Sequence, residues 1–387
     1  MHEQLAKIYE MKSEDLYHLE YEKRFNDVAT VKLPLSIQSS GPNEEFQCFY
    51  VPHQTLISDY DRILRADLRI RQAIQKLPDA LSFQYCVDSK LMDELINTNR
   101  IEGIRSAQSE MVQALKEVRL GRKVKYSNLM AIYLSLTDED CEIKINEIAD
   151  IKKIHNMLVF TEIDLDEDEL EDEDTEADEE VDEESLAKLI TFLNDYDAPA
   201  LYKIAVAHYY FDYLHSDDEV NGRVSRFISS LYLRKELDIL TALTLSYAIQ
   251  QNKKIYYGGL DGATNDLNKG ELTHFCQAFF KILHDAQKHV LNELSKKQKL
   301  FKNLISLLDT HMKGKTENEK TIVLVMGKHY IFASVSRMWI IDLEAGSTLT
   351  PYRVSKALVT TAGFIDIVGR KPKILMLTEA AREFINN

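Results

Sequence analysis

From residue 215 to residue 226 the chain reads His-Ser-Asp-Asp-Glu-Val-Asn-Gly-Arg-Val-Ser-Arg. This stretch gathers a histidine, carboxylates, an Asn-Gly turn and two arginines. These are the residue types that phosphate chemistry needs. His215 could accept a proton from an attacking hydroxyl, because imidazole titrates near neutrality. Glu219 could hold a divalent cation against a phosphate, and the planar forks of Arg223 and Arg226 match phosphate oxygens.

The elements that must position these groups are legible on either side. Leu201–Leu214 and Phe227–Leu233 carry apolar residues at helical spacing, so the charged stretch is the turn between two helices. A turn that opens onto a helix N-terminus presents free backbone N–H groups to an anion. Three residues apart, Arg223 and Arg226 share a face of the second helix and can reach one polyphosphate. His208, a heptad before His215, reads instead as a packed side chain.

The turn resembles the Fic motif, H-x-F-x-[DE]-G-N-G-R-x-x-R, with matches at His215, Glu219, Asn221, Gly222, Arg223 and Arg226. Upstream, Thr98-Asn99-Arg100-Ile101-Glu102-Gly103 resembles the inhibitory [ST]-x-x-x-E-[GN] element of the same family. Downstream, Tyr256-Tyr257 and the segment Leu267 to Leu272 look like stretches that follow the motif in longer Fic proteins. The resemblance implies an adenylyltransferase that moves AMP from ATP, with Mg2+, onto a Ser, Thr or Tyr hydroxyl of a protein substrate, which could be the chain itself. It further implies that His215 is the general base and Glu219 the magnesium ligand. Asn221, Gly222, Arg223 and Arg226, with Tyr256 and Tyr257, would bind the nucleotide. Glu102 would be the brake, pairing with Arg226 where the terminal phosphate should sit.

Three positions depart from the family pattern: Ser216 and Asp217 stand where its members carry Pro and Phe after the histidine, and Val220 replaces the first Gly of G-N-G. A β-branched residue resists the positive φ that glycine tolerates, and Asp217 cannot serve as an apolar anchor without costly burial. The alternative is therefore a catalytically decayed Fic scaffold acting as a DNA- or protein-binding regulator.

The chain has 387 residues, 45% of them hydrophobic, which fits a soluble protein of two or three domains. It lacks an apolar run of transmembrane length, and Met1 to Tyr21 is charged and has no signal-peptide core, so the expectation is a cytoplasmic protein away from membranes. Cys48, Cys86, Cys141 and Cys276 are too scattered for a zinc or disulfide framework. The formal charge of -16 is local: Glu162 to Glu184 holds 17 Asp or Glu and no Lys or Arg, and the remainder is close to neutral. Such a run repels itself and has little to bury, which predicts a disordered loop able to dock a basic partner. It stands where Fic proteins usually carry the β-hairpin flap that aligns the target. Asp164, Asp166 and Asp168 suggest a calcium loop, but Glu169 occupies the place where that loop needs Gly.

The expected fold is mainly α: a Fic helical core with an N-terminal inhibitory helix and a small C-terminal winged helix-turn-helix domain. Residues 1–120 form the N-terminal region, with strands at Ala29–Ile37 and Phe46–Val51 and with Pro34 marking the first as an edge. Residues 121–285 form the core, 286–316 a connecting helix and 317–387 the winged helix. Lys313-Gly314-Lys315-Thr316 is no P-loop, because Asp309 stands where the first Gly belongs. In the last domain Thr350 caps a helix with Pro351 at its first position, and Phe364–Val368 and Ile374–Leu377 alternate as a hairpin. Arg353, Lys356, Arg370, Lys371 and Lys373 could meet DNA phosphates. With 9 basic and 7 acidic residues from 317 on, a protein-interaction or homodimerisation module fits equally.

Overall fold

The computed structural model describes residues 2–39, 41, 44–138, 140–159, 183–214, 221–370 and 373–387. The fold is mainly helical, as expected. In chain order the elements are α1 (Leu5–Met11), α2 (Glu14–Phe25), β1 (Val31–Gln38), β2 (Glu45–Tyr50), α3 (Gln54–Ile74), α4 (Ala80–Ile101), α5 (Gln108–Arg119), α6 (Ser127–Ser135), α7 (Ile148–Leu158), α8 (Glu183–Asp195), α9 (Ala200–Leu214), α10 (Asn221–Glu236), α11 (Ile239–Ala242), α12 (Leu245–Gln251), α13 (Lys253–Thr264), α14 (Thr273–His311), α15 (Glu317–Phe332), β3 (Met338–Trp339), α16 (Ile340–Ser347), α17 (Pro351–Thr360), β4 (Ile365–Arg370), β5 (Lys373–Leu377) and α18 (Glu379–Asn386). The acidic stretch from 160 to 182, with the loop and calcium readings made for it, lies outside the described residues.

Packing divides the chain into two compact units, Met1–Leu68 with Leu91–Lys288, and Arg69–Lys90 with His289–Asn387. In the first, α9 is the central element. It is apolar on every face, the pattern of a helix with no side left for water, and Leu201, Tyr202 and every residue from Ile204 to Phe211 are buried. It packs against α8, α10 and α13. His208 is sealed in this core, its ring within hydrogen-bonding distance of the Ser229 and Ser225 hydroxyls (2.8 and 3.1 Å) and the Tyr256 hydroxyl (2.9 Å). Burial, reinforced by Arg226, holds its pKa down at about 3, so it is neutral.

β1 and β2 pair antiparallel, and the register slips between Lys32, opposite Phe49, and Ser36, opposite Gln47. Pro34 falls inside this bulge, where a ladder donor is not needed. The Gln47 amide instead donates to the Leu33 carbonyl at 3.0 Å. The β1 backbone is further engaged by tyrosines: the Tyr196 and Tyr210 hydroxyls donate to the carbonyls of Lys32 and Ser36, and Tyr213 accepts from the Gln38 N–H. Side chains thus occupy polar groups that an edge strand would leave open.

In the second unit the helix expected from residue 286 is the latter part of α14, which already begins at Thr273. The turn containing Lys315 leads into α15, where Thr316 and Glu319 form a capping box. Thr350 caps α17 with Pro351 at its first turn. The strands near 365 and 374 form a three-stranded sheet in the order β3-β5-β4. Lys371 and Pro372 lie outside the described residues.

Candidate functional site

Glu102 owes its position to the way α4 ends. Gly103 has φ +76°, the left-handed conformation that glycine adopts without a Cβ penalty. Its N–H returns to the Arg100 carbonyl at 3.2 Å and the Ile104 N–H to the Asn99 carbonyl at 2.9 Å. This Schellman pair closes the helix and leaves Glu102 as its capping residue. Thr98, one turn earlier, lies on the same face.

α10 brings Gly222 and Arg226, also one turn apart, onto that face. The Arg226 Nε donates to Thr98 Oγ1 at 2.9 Å, and Nη2 donates to the Thr98 carbonyl at 3.3 Å and to Glu102 Oε1 at 2.5 Å. Arg226 is 2% exposed and Thr98 fully buried. Burial alone would discourage the guanidinium charge, but the Glu102 carboxylate outweighs it and raises the pKa. The C-terminal end of α4 adds to this, because helix carbonyl ends favour a cation.

Gly222 explains how the carboxylate comes so close. A Cβ there would stand 2.5 Å from Glu102 Oε1 and 3.0 Å from Arg226 Nη1. The carboxylate therefore lies against the first turn of α10, where a helix N-terminus attracts anions. Asn221 and Arg223 are buried in the same turn. An arginine and a helix N-terminus thus make a seat for an anion, and the chain's own Glu102 fills it.

Other titratable groups surround the seat. Burial pushes the Asp212 carboxyl, in the last turn of α9, up to about 6; Arg226 opposes this and Glu102 adds to it. Glu94, one helical turn before Thr98, is completely buried and is pushed up to about 7 although the Ser246 N–H and hydroxyl both donate to it. Neither was singled out from sequence. Asp212 did leave a signal, as the single carboxylate in a run from 204 to 214 that is aliphatic and aromatic apart from His208.

Of the two expected nucleotide-contacting tyrosines, Tyr256 is buried with its hydroxyl against His208, whereas Tyr257 is 42% exposed. Burial, with Glu102 next in effect, raises the Tyr257 phenol pKa. His215 and Glu219, with Ser216, Asp217, Asp218 and Val220, lie outside the described residues. The structure therefore brings Glu102, Thr98, Gly222 and Arg226 together, with Asn221 and Arg223 in the adjoining turn.

The chain is similar to a Fic family protein. That solved structure, from Desulfovibrio desulfuricans G20, is 16% identical, with 84% of this chain and 97% of that chain covered at a TM-score of 0.45. No family model and no curated protein matches this sequence. Among the described residues, no helix is long and apolar enough to cross a membrane.

Proposed function

We propose that this protein is a Fic-type adenylyltransferase restrained by its own Glu102. The observation that carries the reading is the anion seat: a buried arginine and the opening turn of α10, filled by a carboxylate from α4. A nucleotide phosphate has the charge and the acceptor oxygens that this seat receives. Arg226, Arg223 and the Asn221-Gly222 turn would hold it, and Tyr257 would flank the nucleotide. Glu219 would hold Mg2+, an assignment that rests on motif spacing. Mg2+ would neutralise charge on the departing pyrophosphate.

In the reaction the target's hydroxyl oxygen forms a bond to the α-phosphorus, the bond to pyrophosphate breaks, and His215 takes the hydroxyl proton. Glu102 opposes this by holding Arg226 and by placing negative charge where phosphate must enter. The test is incubation of the Glu102→Gly protein with ATP and Mg2+, scored by intact mass. An added AMP that disappears on His215→Ala is the expected result.

A second reading, a non-catalytic regulator, draws on the C-terminal elements. Helix α15, strand β3, helices α16 and α17 and the β4–β5 hairpin follow the order of a winged helix. Tyr352 and Val359 of α17 are 75% and 78% exposed beside the exposed Arg353 and Lys356. Such a mixed surface suits a protein partner at least as well as DNA. Absence of both AMP transfer and ATP binding in the Glu102→Gly protein would favour this reading.

A further inference from the structure

Far along the chain from the anion seat, residues from both ends of the first unit meet in a second cluster. His2 precedes α1, Glu271 lies two residues before α14, and His274 lies in the first turn of α14. One ligand atom from each of the three falls within 4.8 Å of the others. We infer that His2, Glu271 and His274 form a binding site for a divalent transition metal ion of the zinc class.

Each residue is prepared for that task. Glu271 is 3% exposed. Arg24 Nη1 donates to its Oε2 at 2.9 Å, which leaves Oε1, 2.5 Å from His2 Nε2, to face the cluster. The His274 Nε2 is buried without a hydrogen-bond partner. A polar atom left unpaired in a buried position is otherwise destabilising.

His53, whose ring stacks on His2 at 5.0 Å, is excluded as a ligand. The Leu56 N–H donates to its Nδ1, so its Nε2 carries the proton. Two imidazoles and one carboxylate oxygen, without thiolates, suit Zn2+ and its neighbours better than Mg2+ or Ca2+. With metal–ligand bonds of about 2.1 Å, the His2–Glu271 contact must lengthen to about 3.3 Å, the ion replacing the shared proton.

The ion's effect would be to pin the N-terminal segment. That segment is already docked: the Ala6 N–H donates to Asn268 Oδ1 at 2.9 Å, and Arg24 donates to the Glu3 carbonyl at 2.7 Å. A shared ion would bind residue 2 to residues 271 and 274 and hold α1 against the start of α14.

The test uses the untagged full chain, stripped with EDTA and titrated calorimetrically with zinc chloride beside His2→Gln, His274→Gln and the double variant. Comparison with the variants cancels weak uptake by the acidic stretch. The expected result is one equivalent bound by the wild type at least tenfold more tightly than by any variant, with slower hydrogen exchange over 5–11 when zinc is present. Cobalt chloride should give the wild type a visible d–d band that the double variant lacks. Zinc uptake equal in the wild type and the double variant would overturn the inference. If a variant fails to fold, absence of the cobalt band in the wild type would overturn it as well.

Discussion

The Glu102–Arg226 contact joins a guanidinium that is 2% exposed to a carboxylate at a helix end, and removing one member of a buried pair costs about 3–5 kcal/mol. Glu102→Gly is therefore expected to melt at a lower temperature than the wild type, with inorganic phosphate recovering part of the loss by binding the vacated seat. Gly222 offers a sharper probe. Alanine in a helix is ordinarily favoured over glycine by about 1 kcal/mol, but here its Cβ would meet the carboxylate. Gly222→Ala should be destabilising in the wild type and less so, by about 1 kcal/mol, once Glu102 is Gly; denaturant unfolding of the four proteins of the cycle measures that coupling. A coupling of zero would mean that the carboxylate does not rest on this turn. That Thr98 and Glu102 share a face was legible because a spacing of four on a helix fixes which side chains stand together; that Arg226 stands opposite them was an expectation from the motif resemblance alone. Tyr256 was less so. A phenol has an apolar body and a polar tip, and sequence does not say that this tip turns to His208 inside the core.

At the scale of elements, the strands beside Pro34 and the capped helix at Thr350 were readable because proline and capping residues act locally. The start of α14 was not. Its first turns are rich in phenylalanine and its later ones in lysine, so a change of composition near 286 looks like a boundary although the helix runs through it. The tie between β2 and the segment before α14 is equally hidden in sequence. The Phe49 N–H donates to the Gly270 carbonyl at 3.0 Å and the Leu272 N–H to the Phe49 carbonyl at 2.8 Å. Gly270 has φ +75°, and a Cβ there would lie 2.8 Å from the Gln47 carbonyl oxygen. Gly270→Ala should cost about 2 kcal/mol or more, since left-handed strain adds to a backbone clash. Thermal unfolding would show it, whereas Gly258→Ala, at a helical position with open space around it, should leave stability unchanged or raise it.

For the whole molecule, buried ionisable groups make stability depend on pH in opposing directions. Glu94 is raised from 4.5 to about 7 on folding, so the native state binds the extra proton and its stabilising contribution is lost as pH climbs through that window. His208 is lowered from 6.5 to about 3, and its contribution is present above 6.5 and lost as pH falls toward 3. Glu94→Gln should therefore gain in melting temperature relative to the wild type between pH 5 and pH 8, and an unchanged difference across that range would contradict the burial argument. The three-residue histidine and glutamate cluster belongs to this scale too: 269 residues separate His2 from Glu271, a distance along the chain at which no local pattern announces a meeting. The same holds for Glu102 and Arg226, 124 residues apart, and their attachment to one chain has a kinetic meaning. A tethered group acts at an effective concentration of about millimolar or higher, whatever the concentration of the protein. Dilution cannot relieve such a competitor. An anion seeking Arg226 must outbid a carboxylate that never diffuses away, so the threshold for occupancy is written into the chain rather than set by how much of the protein is present.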